Sequence, residues 1–307
     1  MRMGKMKTIH LTGGGELPQI GFGPDSLDYV LRLRRKPGRT WLHRAYNRFH
    51  KILVDRPQYV NAIARSFSIG YRLLDYSATY GDGALLSEAM KKAGVSRQDL
   101  IITTRISNKA QFENSIEEEL KNQLRGFRTG YLDILMFHWP VTNYYEETWR
   151  KMIEYKKHGL CKTIGVANCN IHHLQRLYEV SGIYPEINQV EVHPLFSQVE
   201  LRKFCKEKGI VIESYSPTAR HDDRLYNPKL LKELSNKYDR SITQLILRWH
   251  VQNGLIPVIR SWNPNHLKSD FDIFDFEIST EDMAKIDSLN INSRIRYDPD
   301  NCDFYSL

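Results

Sequence analysis

The stretch Leu73–Asp82, LLDYSATYGD, ends an apolar run on Asp75 and places Tyr80 five residues further on. A carboxylate and a phenol so placed could be the working pair of an active site. The same pattern also describes a strand end followed by a polar turn, where both residue types are common. Other polar residues stand in comparable places: Arg105, His138, Asn168, Tyr215 and Arg260 close apolar runs, and Gln189 lies within one. Scattered over a surface they would mean little; gathered at one point they would form a site.

The elements that would gather them are visible as a repeat. After a probable hairpin, TIHLTGGGELPQ, eight short β-branched or apolar runs follow in order: QIGFG, YRLLDY, LIITTRI, YLDILMFHW, KTIGVAN, EINQVEV, IVIESYS and LIPVIRS. Amphipathic segments separate them, among them QYVNAIARSFSIG, NSIEEELKNQLRGF, EETWRKMIEYKKHG, IHHLQRLYEVSG, QVELRKFCKEKG and one long segment, NPKLLKELSNKYDRSITQLILRWHVQNG; several end on glycine, as helices often do. Eight strand–helix units predict an α/β fold, a closed (β/α)8 TIM barrel of about 250 residues with additions. In that fold side chains at the carboxyl ends of the strands share one mouth. The expected organisation is a single domain over 1–307, with an N-terminal β-hairpin and a helical insert after strand 1 at about 25–56.

Composition narrows the function classes. The chain has 307 residues, 41% hydrophobic and 26% charged, an ordinary globular balance. It shows no apolar run of membrane-spanning length and no signal peptide at its start, so a cytoplasmic protein is expected. Cys161, Cys169, Cys205 and Cys302 form no CxxC pair, and reduced thiols are expected. HExxH, GxxxxGK, EF-hand and GxSxG patterns are absent, so no metal site is expected. The net charge is +8, of which +6 lies between Asp25 and Arg56. Such local charge argues against a nucleic-acid partner. A membrane role finds no supporting motif elsewhere, and a monomer or weak homodimer is expected.

With these residues in order, the sequence resembles the aldo-keto reductase family over nearly the whole chain apart from the insert. LLDYSATYG is similar to the family's Asp and Tyr after strand 2, LMFHWP to its histidine motif, and TIGVANCN to its asparagine loop. INQVEVHP, ESYSP and RSWNPNHLKSDFDIFDFEIS resemble its Asn-Gln strand, tyrosine strand and cofactor loop. The resemblance implies hydride transfer from NADPH, with NADH as the alternative cofactor, to an aldehyde or ketone. Tyr80 would give the proton to the carbonyl oxygen, and a tyrosine of ordinary pKa near about 10 needs a neighbouring cation for this. Arg105 stands where the family has lysine, Asp75 would hold it, and His138 would orient the carbonyl; alternatively, His138 is a core histidine. A protein that binds the nucleotide but turns over little is the competing reading, because of Arg105.

The cofactor residues follow by the same correspondence. Tyr215 would stack on the nicotinamide and Asn168 and Gln189 would bind its carboxamide, with Ser216 beside them; Ala167 replaces the family's serine. Arg260, Ser261 and His266 would take the 2′-phosphate. Asp270 would sit near the adenine in place of asparagine, or else be a surface charge. The segments after HWP and Tyr215 and the C-terminal tail are short, so the usual pocket walls are expected to be missing. The insert is expected to replace them as a lid over Trp139 on the pocket floor, and its charge to select an anionic or sugar-derived carbonyl substrate. Within it Thr40 would cap a helix with Trp41, Leu42, Ala45, Tyr46, Phe49, Ile52 and Leu53 on one face, and 27–35 would form a partner helix.

Overall fold

The computed structural model describes residues 6–24, 27, 41–76 and 83–306, with the side chains of 41–45 left aside. Thr40, nearly all of 27–35 and the segment with Tyr80 lie outside these residues.

Strand β1 (Thr8–His10) pairs antiparallel with β2 (Glu16–Pro18) in a hairpin. Eight parallel strands then close a barrel: β3 (Gly21–Phe22), β4 (Leu73–Asp75), β5 (Ile101–Ile106), β6 (Leu132–Phe137), β7 (Cys161–Ala167), β8 (Ile187–Glu191), β9 (Val211–Tyr215) and β10 (Ile256–Ile259). Neighbours in the barrel are neighbours in sequence, and β10 returns to β3. The fold is therefore the (β/α)8 barrel with its hairpin that the eight apolar runs predict.

Alternation along each strand sorts the core. One face sends Leu73, Ile134, Met136, Ile187, Val211 and Ile256 inward, where Leu11 and Leu17 of the hairpin join them and plug one end. The other face packs Leu74, Ile102, Leu135, Ile164, Val190 and Ile212 against the surrounding helices. Each fully buried side chain of this size contributes about 1.5–3 kcal/mol. Towards the opposite end the inward positions turn polar, and the site lies there.

Two helical expectations change on the structure. The long segment 227–254 is two helices, Lys229–Tyr238 and Ile242–Gln252. Asp239 adopts the left-handed conformation between them, and Ser241 opens the second with a capping box to Gln244. The insert helix and the first barrel helix, by contrast, are continuous: Trp41–His50 passes through a π-helical turn, Lys51–Asp55, into Arg56–Ile69. The wider turn is stabilised by the His50 ring, 3.1 Å from the buried carboxylate of Asp55. On this rod Tyr46, Phe49, Ile52 and Leu53 are all more than half exposed, so their apolar face meets solvent rather than closing on the barrel. Among the described residues, no helix is long and apolar enough to cross a membrane.

Gly165 shows how closely the barrel is packed. A Cβ there would lie 2.9 Å from the Ile187 carbonyl oxygen and 3.1 Å from its Cβ. Gly165→Ala is expected to destabilise the fold by about 1–3 kcal/mol, seen as a lowered midpoint in thermal unfolding.

Candidate active site

Asp75 ends β4 and Arg105 is the penultimate residue of β5, so neighbouring strands deliver a carboxylate and a guanidinium to the same depth of the barrel. Arg105 binds Asp75 with both ends of its fork, Nη1 to Oδ1 at 2.5 Å and Nη2 to Oδ2 at 2.7 Å. Nη2 also donates to Gln189 Oε1 at 2.5 Å. The pair is nearly enclosed, with 4% of Arg105 and 12% of Asp75 exposed, so its geometry must compensate for lost hydration.

Gln189 extends this pair across the barrel. Its Nε2 donates to Asp75 Oδ2 at 3.2 Å and to Glu213 Oε2 at 2.8 Å. An amide nitrogen has two hydrogens, so these bonds use both, and only a lone pair of Oε1 is left for a carboxamide N–H. Glu213, opposite Gln189 on β9, is fully buried, and its Oε1 has no hydrogen-bond partner among the described residues. Burial, reinforced by the charge of Asp75, pushes its carboxyl up to about 7, against the pull of Gln189 and Arg105.

A second group lies along the same rim. Asn168 follows β7 in the left-handed conformation, its backbone N–H bound to the Gln189 carbonyl oxygen at 2.9 Å. Its Nδ2 donates to the His138 carbonyl oxygen at 2.9 Å, and its Oδ1 accepts from the Tyr215 hydroxyl at 2.7 Å. The His138 ring is half-buried. Burial, and then the positive charges of Arg105 and Arg296, push it down to about 3, against the opposite pull of Asp75. It is therefore neutral across the physiological range and can donate a hydrogen bond from one ring nitrogen.

The remaining expected residues spread outward from this centre. Arg260 follows β10, and Ser261 Oγ accepts from the Asn263 N–H at 3.1 Å. Ser261 opens on a groove of about 860 Å³ that Arg65 and Lys92 also line. His266 is exposed, whereas Asp270 is half-buried and burial pushes its carboxyl up to about 7. Ser216 follows Tyr215 at φ 48°. Trp139 is 4% exposed and has the Phe304 ring 6.4 Å from its own, so the C-terminal segment covers it. The expectation that a short tail leaves this wall missing is corrected: the Ile295 and Arg296 N–H groups bind the Glu191 carboxylate at the end of β8, and Phe304 lies against Asn108 and Trp139. Tyr80 is outside the described residues, and its distance from Arg105 and His138 is not part of this geometry.

Sequence reasoning missed Glu213, Glu191 and Arg296. Glu213 stands two residues before Tyr215 and Glu191 two after Gln189, the spacing that puts alternate strand residues on one face. That periodicity was the available signal for both. Arg296 had none, because it sits in a tail without pattern.

Residues 50–291 match the Aldo/keto reductase family. The chain belongs to that family. It is 38% identical over 249 residues to the uncharacterized oxidoreductase YtbE of Bacillus subtilis, covering 80% of this chain and 88% of that one. It is 36% identical over 243 residues to the methylglyoxal reductase DkgA of Escherichia coli K12, covering 78% and 88%. Among solved structures it resembles the aldo-keto reductase AKR2E5 of the silkworm Bombyx mori complexed with NADPH, at a TM-score of 0.80 and 25% identity, covering 95% of this chain and 90% of that one.

The Glu213 carboxyl gives this family member a measurable signature. An unfolded glutamate titrates near about 4.3. Between there and about 7 the folded protein holds a proton that the unfolded chain has lost, so stability falls as pH rises through this window. Glu213→Gln is expected to remove that slope, so that its melting temperature gains on the parent protein between pH 5 and pH 8. A constant difference across that range would show that Glu213 does not titrate there.

Proposed function

We propose that this aldo-keto reductase is an NADPH-dependent carbonyl reductase acting on small aldehydes or ketones in the cytosol as one barrel domain. The observation that carries the reading is the forked Arg105–Asp75 pair beside a neutral His138 at the barrel mouth. Similarity to the methylglyoxal reductase DkgA supports an aldehyde of that size.

The residues present fit the cofactor. Asn168 and Tyr215, already joined to each other, would hold the nicotinamide end with Ser216, and Gln189 would accept one N–H of the carboxamide. Arg260 and Ser261 would hold the 2′-phosphate, beside a groove with room and positive charge. His266 is exposed at the edge of this site and would stand beside them. Asp270 has a half-buried carboxyl that makes no hydrogen bond to a described residue, and the amino group of an adenine would satisfy it. When bound, NADPH supplies the hydride that reaches the carbonyl carbon.

This chain's own residues manage the oxygen. His138 donates a hydrogen bond that orients the carbonyl, and Tyr80 transfers its proton to the oxygen as negative charge develops there. The alcohol forms, and Tyr80 is left to recover a proton from solvent. Arg105 supplies a permanent positive field that favours the tyrosinate, but a guanidinium cannot itself relay a proton. Turnover is therefore expected to be slow. A nucleotide-binding protein with little turnover is the second reading, and the arginine in the lysine position is what favours it.

Consumption of NADPH with methylglyoxal separates the two. On the reductase reading Tyr80→Phe lowers kcat by about 10²- to 10⁴-fold, the range for loss of a general acid, while NADPH still quenches tryptophan fluorescence. Unchanged turnover in this variant would return the Asp75 and Tyr80 stretch to a strand end and a turn. In the same titration Arg260→Ala is expected to weaken NADPH about tenfold more than NADH, as loss of a charge-assisted phosphate contact would; equal weakening of both would remove Arg260 from the 2′-phosphate site.

A further inference from the structure

The helical rod from Trp41 to Ile69 is amphipathic in its first part, with its apolar side turned outward. Tyr46, Phe49, Ile52 and Leu53 are 52% to 70% exposed, and Tyr46, Phe49 and Leu53 follow the spacing i, i+3, i+7 that puts side chains on one helix face. The opposite side faces the protein. Asn47, His50, Lys51 and Val54 are half-buried, Asp55 is buried, and the His50 ring lies 3.1 Å from the Asp55 carboxylate. In water alone this arrangement is unfavourable, since polar groups give up hydration while four large apolar side chains keep theirs.

The level of the stripe in the fold follows from topology. In a (β/α)8 barrel each helix runs back against the strand before it, so helix N-termini lie on the side of the mouth. Arg56 opens the barrel part of the rod and reaches Glu88, in the second turn of the helix Gly83–Ala93, at 3.4 Å. Trp41 to Asp55, about 22 Å of helix at about 1.5 Å per residue, therefore extends the rod on the mouth side.

Charge selects what covers the stripe. Between Trp41 and Val54 there is no acidic residue, whereas Arg44, Arg48 and Lys51 are basic, and Arg48 is exposed next to Phe49. The span from Asp25 to Arg56 carries +6 of the chain's +8. A second copy docked face to face would bring two such charges together. A groove that grips a helix along both flanks would find one side already taken by the protein. A flat anionic surface meets neither obstacle: it needs only the outward stripe, and its headgroups receive the basic residues.

We infer that this rod is a docking element for anionic lipid, with Tyr46, Phe49, Ile52 and Leu53 entering the boundary between headgroups and acyl chains and Arg48 lying among the phosphates. The attachment is peripheral, made by a helix that lies on the lipid and does not cross it. It goes beyond the proposed reaction and does not depend on it. The sequence alone offers no companion motif for a membrane; the outward turn of the stripe is what the structure adds. A docked molecule holds its barrel mouth beside the lipid.

The test is sedimentation of the full chain with vesicles of phosphatidylcholine alone and of phosphatidylcholine mixed equally with phosphatidylglycerol. The protein should bind the mixed vesicles about tenfold or more tightly than the neutral ones, and added salt should weaken that binding. Phe49→Ser combined with Leu53→Ser should lower the affinity for mixed vesicles about tenfold or more, as loss of two inserted apolar side chains does. Both side chains are exposed, so the thermal midpoint and the turnover of methylglyoxal without vesicles should stay as in the parent chain. Arg48→Gln should weaken binding less and flatten its salt dependence. Failure to pellet with the mixed vesicles at low salt, or equal pelleting with both kinds, overturns the inference. So does binding that the Phe49 and Leu53 changes leave intact, because the rod is then not the element in contact. If the parent chain is a dimer that these changes dissociate, the stripe joins two copies; if they raise KM for methylglyoxal without vesicles, it belongs to the mouth, and either result overturns lipid docking. Absence of turnover in the parent chain bears on the reductase reading alone.

Discussion

The barrel mouth is built around a buried charge that cannot be left alone. A carboxylate and a guanidinium withdrawn from water each lose several kcal/mol of hydration, which is regained only with near-ideal geometry and with partners for the remaining polar atoms. Arg105 meets that demand by taking both Asp75 oxygens and the Gln189 carbonyl. Gln189 in turn is fixed by Glu213, so four residues on four strands, β4, β5, β8 and β9, become one hydrogen-bonded unit across the barrel. Strand register follows from the same requirement, since a shift of one residue in any of the four would turn its side chain outward.

This unit gives Gln189 a different emphasis from the one that its position in the sequence suggests. Viewed as a motif residue it points to a cofactor amide; viewed in the fold, both its hydrogens belong to the barrel interior. A lysine in the place of Arg105 would be a compact charge with three rotatable donors, whereas the guanidinium is planar and binds Asp75 along an edge. The wide, flat cation and the cross-barrel amide therefore fit together as a pair of features, and Glu213 Oε1 is left without a hydrogen-bond partner among the described residues.

Much of the architecture was legible because its determinants are local. Runs such as LIITTRI and KTIGVAN are apolar and β-branched, and they became β5 and β7 with ends within one residue of the runs. Asp75, Arg105, His138, Asn168 and Tyr215 stood at strand termini, and strand termini share a rim. What escaped depended on distant partners or on breaks within a pattern. Asp239 and Ser241 divide a segment whose apolar rhythm hardly changes across them. The apolar stripe of Tyr46, Phe49, Ile52 and Leu53 reads as a buried face, because periodicity reports amphipathicity and says nothing about whether a surface is present to receive it. The tail, INSRIRYDPDNCDFYSL, has no rhythm at all. Its course is set by Glu191, more than a hundred residues earlier in the chain.

The way Glu191 grips the tail separates two properties that are usually entangled. The carboxylate binds main-chain N–H groups, which every amino acid except proline provides, so the placement of this segment does not depend on which side chains it carries. Positions 294, 296 and 297 can accordingly vary in charge, size and shape while the backbone that presents them stays where it is. Divergence of substrate preference, whether over evolutionary time or in a directed library, then requires no compensating change in the barrel. The scaffold and its selectivity can be inherited separately.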